Sequence, residues 1–218
     1  MKKMATMFAL LGVLALLAAP ASAVTLWDQS DFDQGAPGFF NSISGGPPFG
    51  STWYTVCDVT VDNVWMVNEI VQWYSALDPF FADGIFQGTL NIIPKTATLP
   101  GASDDPTQGI TVPMTGTVES SGGIDPVIVV RASGLSIMIE PGEYWIGITP
   151  EASAPFGPEI HLPSMTPIGD ASASYDAFGF PMPMWFDFNG GVDATIQVNG
   201  EIAVPTQSAS FGQVKALF

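Results

Sequence analysis

The sequence predicts an all-β fold, an antiparallel β-sandwich of jelly-roll-like form, and three observations lead to it. Short runs rich in Val, Ile, Thr and aromatic residues recur along the 218-residue chain, and 23 glycines and 19 prolines separate them as turns. Hydrophobic residues make up 47% of the chain and charged residues 12%, the balance of a packed domain rather than of a disordered one. Beyond the first residues, no amphipathic segment is long enough to predict a helix.

The first 23 residues predict a secretory signal peptide. Two lysines lie near the start, a mainly apolar run follows at residues 7–19, and a small-x-small tripeptide, Ala-Ser-Ala, ends at Ala23. An uncleaved membrane anchor is the alternative, but Pro20 and Ser22 interrupt a run that would need about 20 apolar residues to span a bilayer. We therefore expect cleavage after Ala23, no transmembrane segment in the mature chain, and a secreted or extracytoplasmic location, at the cell surface or in the periplasm.

The first half of the mature chain predicts three strands. The alternating stretch STWYTVCDVTVDN (51–63) is the first. The next stretch, VWMVNEIVQWYSA (64–76), has an apolar spacing that also fits a helix. Its Val, Ile, Trp and Tyr content and the preceding Asp-Asn turn favour a second strand, paired with the first as a hairpin. The stretch IFQGTLNII (85–93) continues the sheet.

The middle of the chain continues this pattern of strands and turns. Residues 94–109 predict a loop, and ITVPMTGTVES (110–120) predicts one strand that Pro113 makes an edge or bulged strand. Residues 127–130 predict an apolar strand, and alternation follows at Leu135, Ile137 and Ile139. A Pro-Gly turn then leads into the strand EYWIGITP (143–150).

The last part of the mature chain is rich in loops. Residues 151–183 carry many prolines, and FGFPMPMWFDF (178–188) predicts either a loop packed over the end of the sandwich or an exposed adhesive patch. The stretch DATIQVNGEIAV (193–204) predicts the last strand. We therefore expect one domain at 24–205, followed by a linker and a short tail at 206–218.

The mature chain is strongly acidic. Two of the five basic residues lie in the leader and all 21 acidic residues lie beyond it, so three basic residues remain and the formal charge is −18. Such a surface repels nucleic acid and anionic membrane surfaces, so neither is an expected partner. Cys57 is the only cysteine, which rules out an intramolecular disulfide. We interpret it as a small buried strand residue, with a reactive thiol as the alternative.

Four stretches carry a family resemblance: VTLWDQSDFD after the leader, CDVTVDNVWMVNEIVQWYS, PGEYWIGITPE and MWFDFNGGVDATIQVNGEIAVP. Their order and spacing, from Val24 to Pro205, resemble a family of secreted bacterial jelly-roll-like β-sandwich proteins, many with a carboxy-terminal sorting segment of the PEP-CTERM kind. The resemblance implies an extracytoplasmic surface or matrix protein and carries no catalytic residues over to this chain.

The tail departs from that family. The ending TQSASFGQVKALF has neither an apolar spanning helix nor a terminal arginine cluster, so anchoring by the PEP-CTERM route is not implied. We interpret the tail either as a sorting or docking peptide or as a frayed end.

An acidic segment just after the leader holds a candidate calcium site, formed by Asp28, Asp31 and Asp33. Calcium takes several oxygen ligands at about 2.3–2.6 Å. The spacing does not fit an EF-hand loop, because a glycine falls at position 5 when Asp31 is position 1. The spacing favours a solvated acidic turn, and a calcium site of another kind stays open, completed by two aspartates of the 94–109 loop: Asp104 and Asp105. No other cofactor is expected.

The sequence offers little catalytic machinery. His161 is the only histidine, whereas a catalytic zinc site needs about three protein ligands, and no G-x-S-x-G elbow accompanies it for a serine triad. Its neighbouring prolines predict a loop, in which we expect an exposed or capping histidine. Carboxylates about 5–10 Å apart occur by chance among this many acids, so they do not by themselves predict a glycosidase. We therefore expect a protein that is not an enzyme.

Two hypotheses for the function follow. The leading one is an exported, non-enzymatic cell-surface, extracellular-matrix or adhesion component whose partner is a surface polysaccharide or another cell-surface protein. The alternative is a carbohydrate-binding module, or less plausibly a glycoside-cleaving enzyme, suggested by carboxylates near tryptophans in EIVQWY and EYWIGI. The alternative makes a claim about four tryptophans: Trp65, Trp73, Trp145 and Trp185. An exposed row of these side chains would favour it, and their burial would weaken it.

Overall fold

The computed structural model describes residues 23–35, 38–44, 52–75, 81–119, 126–152, 160–177, 183–187 and 191–203. Of the predicted signal peptide only Ala23 lies in these ranges, and the predicted tail at 206–218 lies outside them. The helical elements within them are α1 (Phe81–Gly84) and a 3₁₀ turn at Pro106–Gln108. The strands of these ranges are β1 (Val24–Gln29), β2 (Phe39–Phe40), β3 (Ser42–Ser44), β4 (Thr52–Val61), β5 (Trp65–Ser75), β6 (Ile85–Pro94), β7 (Ile110–Pro113), β8 (Thr115–Glu119), β9 (Val127–Ile139), β10 (Gly142–Ala152), β11 (Ile160–His161), β12 (Ala173–Asp176), β13 (Met184–Asp187) and β14 (Ile196–Ile202).

The strands form two seven-stranded sheets. The first sheet runs β1–β14–β5–β9–β8, and β11 and β2 extend it beside the far end of β5. The second runs β13–β12–β4–β10–β6–β7, with β3 between one end of β4 and one end of β10. Every pairing in the described ranges is antiparallel except that of β3 with β10. The predicted antiparallel β-sandwich is confirmed, and its jelly-roll-like connectivity stays a prediction.

The two sheets enclose one apolar core. From the second sheet, β4 contributes Cys57, Val59 and Val61, which alternate along the strand. From the first sheet, β5 contributes Val67 and Ile70. Their removal from water, at about 25 cal/mol per Å² of apolar surface, is the main force that holds the sheets together.

The predicted hairpin between residues 51–63 and 64–76 is wrong, although both strands are confirmed. β4 pairs with β3, β10 and β12, whereas β5 pairs with β9, β11 and β14. The connection therefore carries the chain from the second sheet to the first. Val61 and Trp65, on either side of it, both belong to the central core. The crossing lets the two strands line opposite walls of that core.

The stretch at 110–120, predicted as one edge or bulged strand, forms two edge strands in different sheets. β7 pairs with β6 at the edge of the second sheet, and β8 pairs with β9 at the edge of the first. Pro113 has no N–H to donate to a further ladder, so the strand ends there. Met114 follows and is buried in the core between the sheets.

Smaller apolar clusters cover the outer faces of both sheets. The outer face of the second sheet packs the indole of Trp185 in β13, whose N–H donates to the carbonyl of Asp104 at 2.7 Å. Residues 184–187 form an edge strand and not the predicted loop over the end of the sandwich; Trp185 in it is packed, whereas Met184 is exposed. Residues 178–182 and 188 lie outside the described ranges. The outer face of the first sheet packs a second cluster: Phe32, Val71, Trp73, Val127, Val129 and Leu162.

Candidate functional site

Asn41 joins the second sheet where two of its strands separate. β4 and β10 pair only as far as Cys57 and Ile146, because β3 then lies between them. The side chain of Asn41, fully buried, fills the gap. Its Oδ1 accepts the backbone N–H of Thr55 at 3.2 Å, and its Nδ2 donates to the carbonyl of Ile148 at 2.9 Å. The side-chain amide of Asn41 therefore supplies hydrogen bonds to β4 and β10 where these two strands no longer pair with each other.

The single histidine belongs to the same buried network, so the prediction of an exposed or capping His161 is wrong. His161 lies in β11, is 0% exposed, and stacks on Tyr74 with ring centroids 5.0 Å apart. Its Nε2 donates to the carbonyl of Thr195 at 2.6 Å, and its Nδ1 accepts from Asn41 at 3.3 Å. Burial lowers the pKa of His161 to about 4. The imidazole is therefore neutral at physiological pH and acts as a core residue.

Cys57 is buried between the sheets, as its position in an alternating strand predicted. Its side chain is 0% exposed, and burial raises the pKa of the thiol well above its ordinary value. Since the thiolate is the reactive form, we expect a thiol reagent to modify Cys57 only when the sandwich opens. Labelling rates measured across a urea series should follow global unfolding. Full labelling of the native protein within minutes would contradict this placement.

The three aspartates of the candidate calcium site make separate hydrogen bonds. Asp28 and Asp33 each accept the N–H of the residue two positions further on, at 3.0 and 2.8 Å, as in turns. Asp31 accepts the hydroxyls of Thr166 and Ser164, the second at 2.9 Å. The bond from Thr166 is the largest cause that holds the pKa of Asp31 below its usual range. The carboxylates of Asp28 and Asp33 thus stabilise their own turns, and that of Asp31 joins this segment to residues 164–166.

The two aspartates expected to complete that site lie at the outer face of the other sheet, beside Trp185. Asp104 accepts the N–H of Gly101 at 2.6 Å, and Asp105 caps the 3₁₀ turn by accepting the N–H of Thr107 at 2.9 Å. In the part of the chain that the structure describes, no three His, Cys, Asp or Glu side chains are grouped to hold a metal ion. Calcium binding stays a prediction without a ligand set.

A charged cleft of about 460 Å³ lies on the outer face of the second sheet. Lys95 pairs there with Asp58 at 3.0 Å and Asp170 at 2.9 Å, and its ammonium lies 5.0 Å from the ring centre of Trp145. Burial alone would lower the pKa of Lys95, but hydrogen bonds and charges from the two aspartates raise it above the usual value. The ammonium is thus fully engaged by the protein itself, and we assign this group a structural role.

Replacing Lys95 by methionine should leave Asp58, whose side chain is 9% exposed, without its cation. We expect a loss of about 2 kcal/mol in the free energy of unfolding. Breaking a fully buried pair costs more, but Asp170, the second aspartate that Lys95 contacts, is partly exposed. Urea unfolding of Lys95→Met, Asp58→Asn and the double variant measures the coupling. Additive losses would show that the pair does not act as a unit.

A row of four polar side chains, which we call the polar ladder, crosses the outer face of the first sheet. Thr25, Asn199, Glu69 and Ser133 come from β1, β14, β5 and β9, and each is the register partner of the next. The Thr25 hydroxyl donates to Asn199 at 3.2 Å, Asn199 donates to Glu69 at 2.9 Å, and Ser133 donates to Glu69 at 2.7 Å. The four side chains therefore hold one another in place.

The strands are irregular at the level of the polar ladder. Each of its three strand pairings shifts register at or next to a ladder residue. Such bulges bend a strand and redirect side chains. In β9, Gly134 follows the ladder serine with a φ of +72°, a conformation that favours glycine, and a Cβ built there would meet no atom within 4 Å. The sheet is therefore distorted and open at this point.

These irregularities leave a cleft of about 490 Å³ above the polar ladder. Asn68 and Gln197 line it beside the ladder residues. The charge of Glu69 faces one cation, the guanidinium of Arg131, whose Nη1 lies 3.9 Å from the carboxylate. The cleft is shallow and open to solvent, so a ligand would lie across it and not inside it. Chemically, the cleft offers amides, hydroxyls and one partly balanced carboxylate.

Sequence reasoning found one member of this site and missed the others. Glu69 stood out because it lies near Trp73, but Trp73 is buried in the outer apolar cluster. Thr25, Ser133 and Asn199 carried no local signal, because they meet Glu69 only through the register of four strands distant in sequence.

The tryptophans do not form an exposed row. All four that would have marked a sugar-binding face are buried, with exposures of 9% or less: Trp65, Trp73, Trp145 and Trp185. This weakens the aromatic argument for a carbohydrate-binding module and leaves the polar ladder as the candidate binding surface.

Comparisons with known proteins identify no relative of this chain. Scans against known protein families, curated proteins and solved structures find no significant match to this chain. In the described ranges, no helix has the length and apolar character needed to cross a membrane. By its structure the protein is an antiparallel β-sandwich with an open polar cleft on one outer face.

Proposed function

We propose that this chain is an exported, non-enzymatic β-sandwich that acts by binding, as a cell-surface, extracellular-matrix or adhesion component. The polar ladder is the observation that carries the proposal, because it is a prearranged set of hydrogen-bonding groups on the floor of a cleft. The leader supports export. The burial of His161 and Cys57 supports binding over catalysis, since the strongest candidate base and nucleophile are enclosed in the core.

A carbohydrate-binding module is the second candidate, and the composition of the same cleft favours it. In ligand sites generally, a few well-placed polar groups fix the orientation of the ligand, and the hydroxyls of a sugar can bond to amides, hydroxyls and carboxylates. Asn68, Gln197 and the polar ladder supply these groups. The two candidates are compatible, because a matrix component can act by holding a glycan.

Fractionation of the organism that encodes the protein tests the leading proposal. We expect the processed chain, with Val24 as its first residue, to appear outside the cytoplasm. Added protease should reach it once the outer layers are opened. The matched variant Ala23→Arg should block cleavage, because the −1 position needs a small side chain. Retention of the unprocessed wild-type chain in the cytoplasm would contradict the proposal.

A further inference from the structure

We propose that the polar ladder binds a neutral, hydroxyl-rich polysaccharide chain. This inference rests on the proposed binding function and names the class of ligand that the cleft accepts. Three features of the cleft carry it: its hydrogen-bonding capacity, its charge and its rigidity.

The cleft presents donors and acceptors side by side. The amides of Asn68 and Gln197 each carry two N–H donors and one acceptor oxygen. The oxygens of Thr25 and Ser133, which donate within the ladder, retain lone pairs that accept. A sugar hydroxyl donates and accepts at once, so neighbouring hydroxyls of one ring can satisfy both kinds of group. A ligand that only accepts, such as a phosphate, would leave the ladder oxygens unmatched.

The charge of the chain as a whole disfavours an acidic ligand. Glu69 is the one acidic group among the residues that line the cleft, and Arg131 lies beside it. The proposed cleavage removes Ala23, which also lines the cleft, and places the α-ammonium of Val24 next to Thr25. An acidic polysaccharide would meet this carboxylate at close range and the net formal charge of −18 on the mature chain at longer range. A neutral chain meets neither penalty.

The ladder is rigid before any ligand arrives. Glu69 is held from both sides, by Ser133 at 2.7 Å and by Asn199 at 2.9 Å, and both partners stand on paired strands. Side chains already fixed lose little conformational entropy on binding. The open space above Gly134 leaves room for a chain to lie across the strands.

Affinity electrophoresis of the chain purified from its host, in whichever fraction it is found, tests the inference. The gels contain dextran, laminarin or mannan as neutral probes and alginate as the acidic probe. We expect at least one neutral polysaccharide to retard the wild type and alginate not to. The double variant Asn68→Ala/Gln197→Ala should bind at least tenfold more weakly. The matched control Thr96→Ala/Thr98→Ala, two exposed hydroxyls of the charged cleft on the other sheet, should bind as the wild type does.

Thermal unfolding of each variant shows whether it folds, and Ser133→Trp provides a second variant that fills the cleft without removing an amide. Retardation that survives both cleft variants would overturn the site. Retardation by alginate alone, or by no neutral probe, would overturn the ligand class. The binding results do not depend on where the protein resides. The fractionation experiment tests export and surface location, and its outcome does not depend on sugar binding.

Discussion

Truncating Asn41 to alanine should lower the free energy of unfolding by about 4 kcal/mol. The change removes the acceptor of the Thr55 N–H and the donor to the Ile148 carbonyl, in a place that water does not reach. It also removes partners of the hydroxyls of Tyr74 and Thr149, at 2.9 and 2.7 Å. Each buried group left without a partner costs about 1–3 kcal/mol. The sum reaches the upper end of single-substitution effects.

Urea unfolding at neutral pH measures the loss. Asn68→Ala is the matched control, because it removes the same atoms from a half-buried strand position at the surface cleft, where we expect a change within about 0.5 kcal/mol. A loss below about 1 kcal/mol for Asn41→Ala would show that the separated strands do not depend on the amide.

Acidification should remove about 3 kcal/mol of stability through His161 alone. The pKa of the imidazole is about 4 in the folded protein, against 6.5 for a free side chain. The unfolded chain therefore takes up a proton as the pH falls below 6.5, and the folded chain does so only near pH 4. The stabilising contribution is complete above pH 6.5 and is lost between 6.5 and 4. Each pKa unit corresponds to about 1.4 kcal/mol.

Asp193 acts in the opposite direction in nearly the same window. Burial raises its pKa to about 6 from 3.8, so the folded protein holds a proton there that the unfolded chain has already lost. Its contribution is present at low pH and falls as the pH rises from about 4 to 6. The two groups therefore partly cancel, and the wild type should show a shallow pH profile.

Two variants separate these contributions. Asp193→Asn should expose the acid sensitivity of His161 as a steeper loss of stability between pH 6.5 and 4. His161→Phe, which keeps a ring beside Tyr74, should remove that loss. Chemical unfolding at four pH values in this range gives both slopes. A flat profile for Asp193→Asn over this range, together with equal slopes for the wild type and His161→Phe, would show that His161 titrates near its ordinary pKa in the folded state.

The strands of this fold were predictable from sequence, but their partners were not. Alternation in TWYTVCDVTV and WMVNEIVQWYS reports that one side of each strand is apolar, and both strands exist. It does not report which neighbour supplies the hydrogen bonds, so a short connection suggested a hairpin where the chain crosses between sheets. The same limit applied to His161, because nearby prolines suggest a loop while the actual pairing with β5 and β2 is a tertiary property.

The candidate site shows a similar contrast between local and distant signals. Three aspartates within six residues are conspicuous in the sequence, yet Asp28 and Asp33 use their oxygens on the turns that contain them. The polar ladder has no local pattern at all, because each of its four strands contributes a single member.

The pairing of β1 with β14 has a consequence for how the protein is made. Within the described residues, the first strand, β1, pairs with the last, β14, and β14 pairs in turn with β5. A chain that emerges from its amino terminus cannot finish the first sheet until nearly all of it has been synthesised. Thr25 therefore meets Asn199 late in folding. For the proposed export this order means that the predicted leader would be available to the export machinery before the first sheet is complete, and that the cleft above the polar ladder forms last.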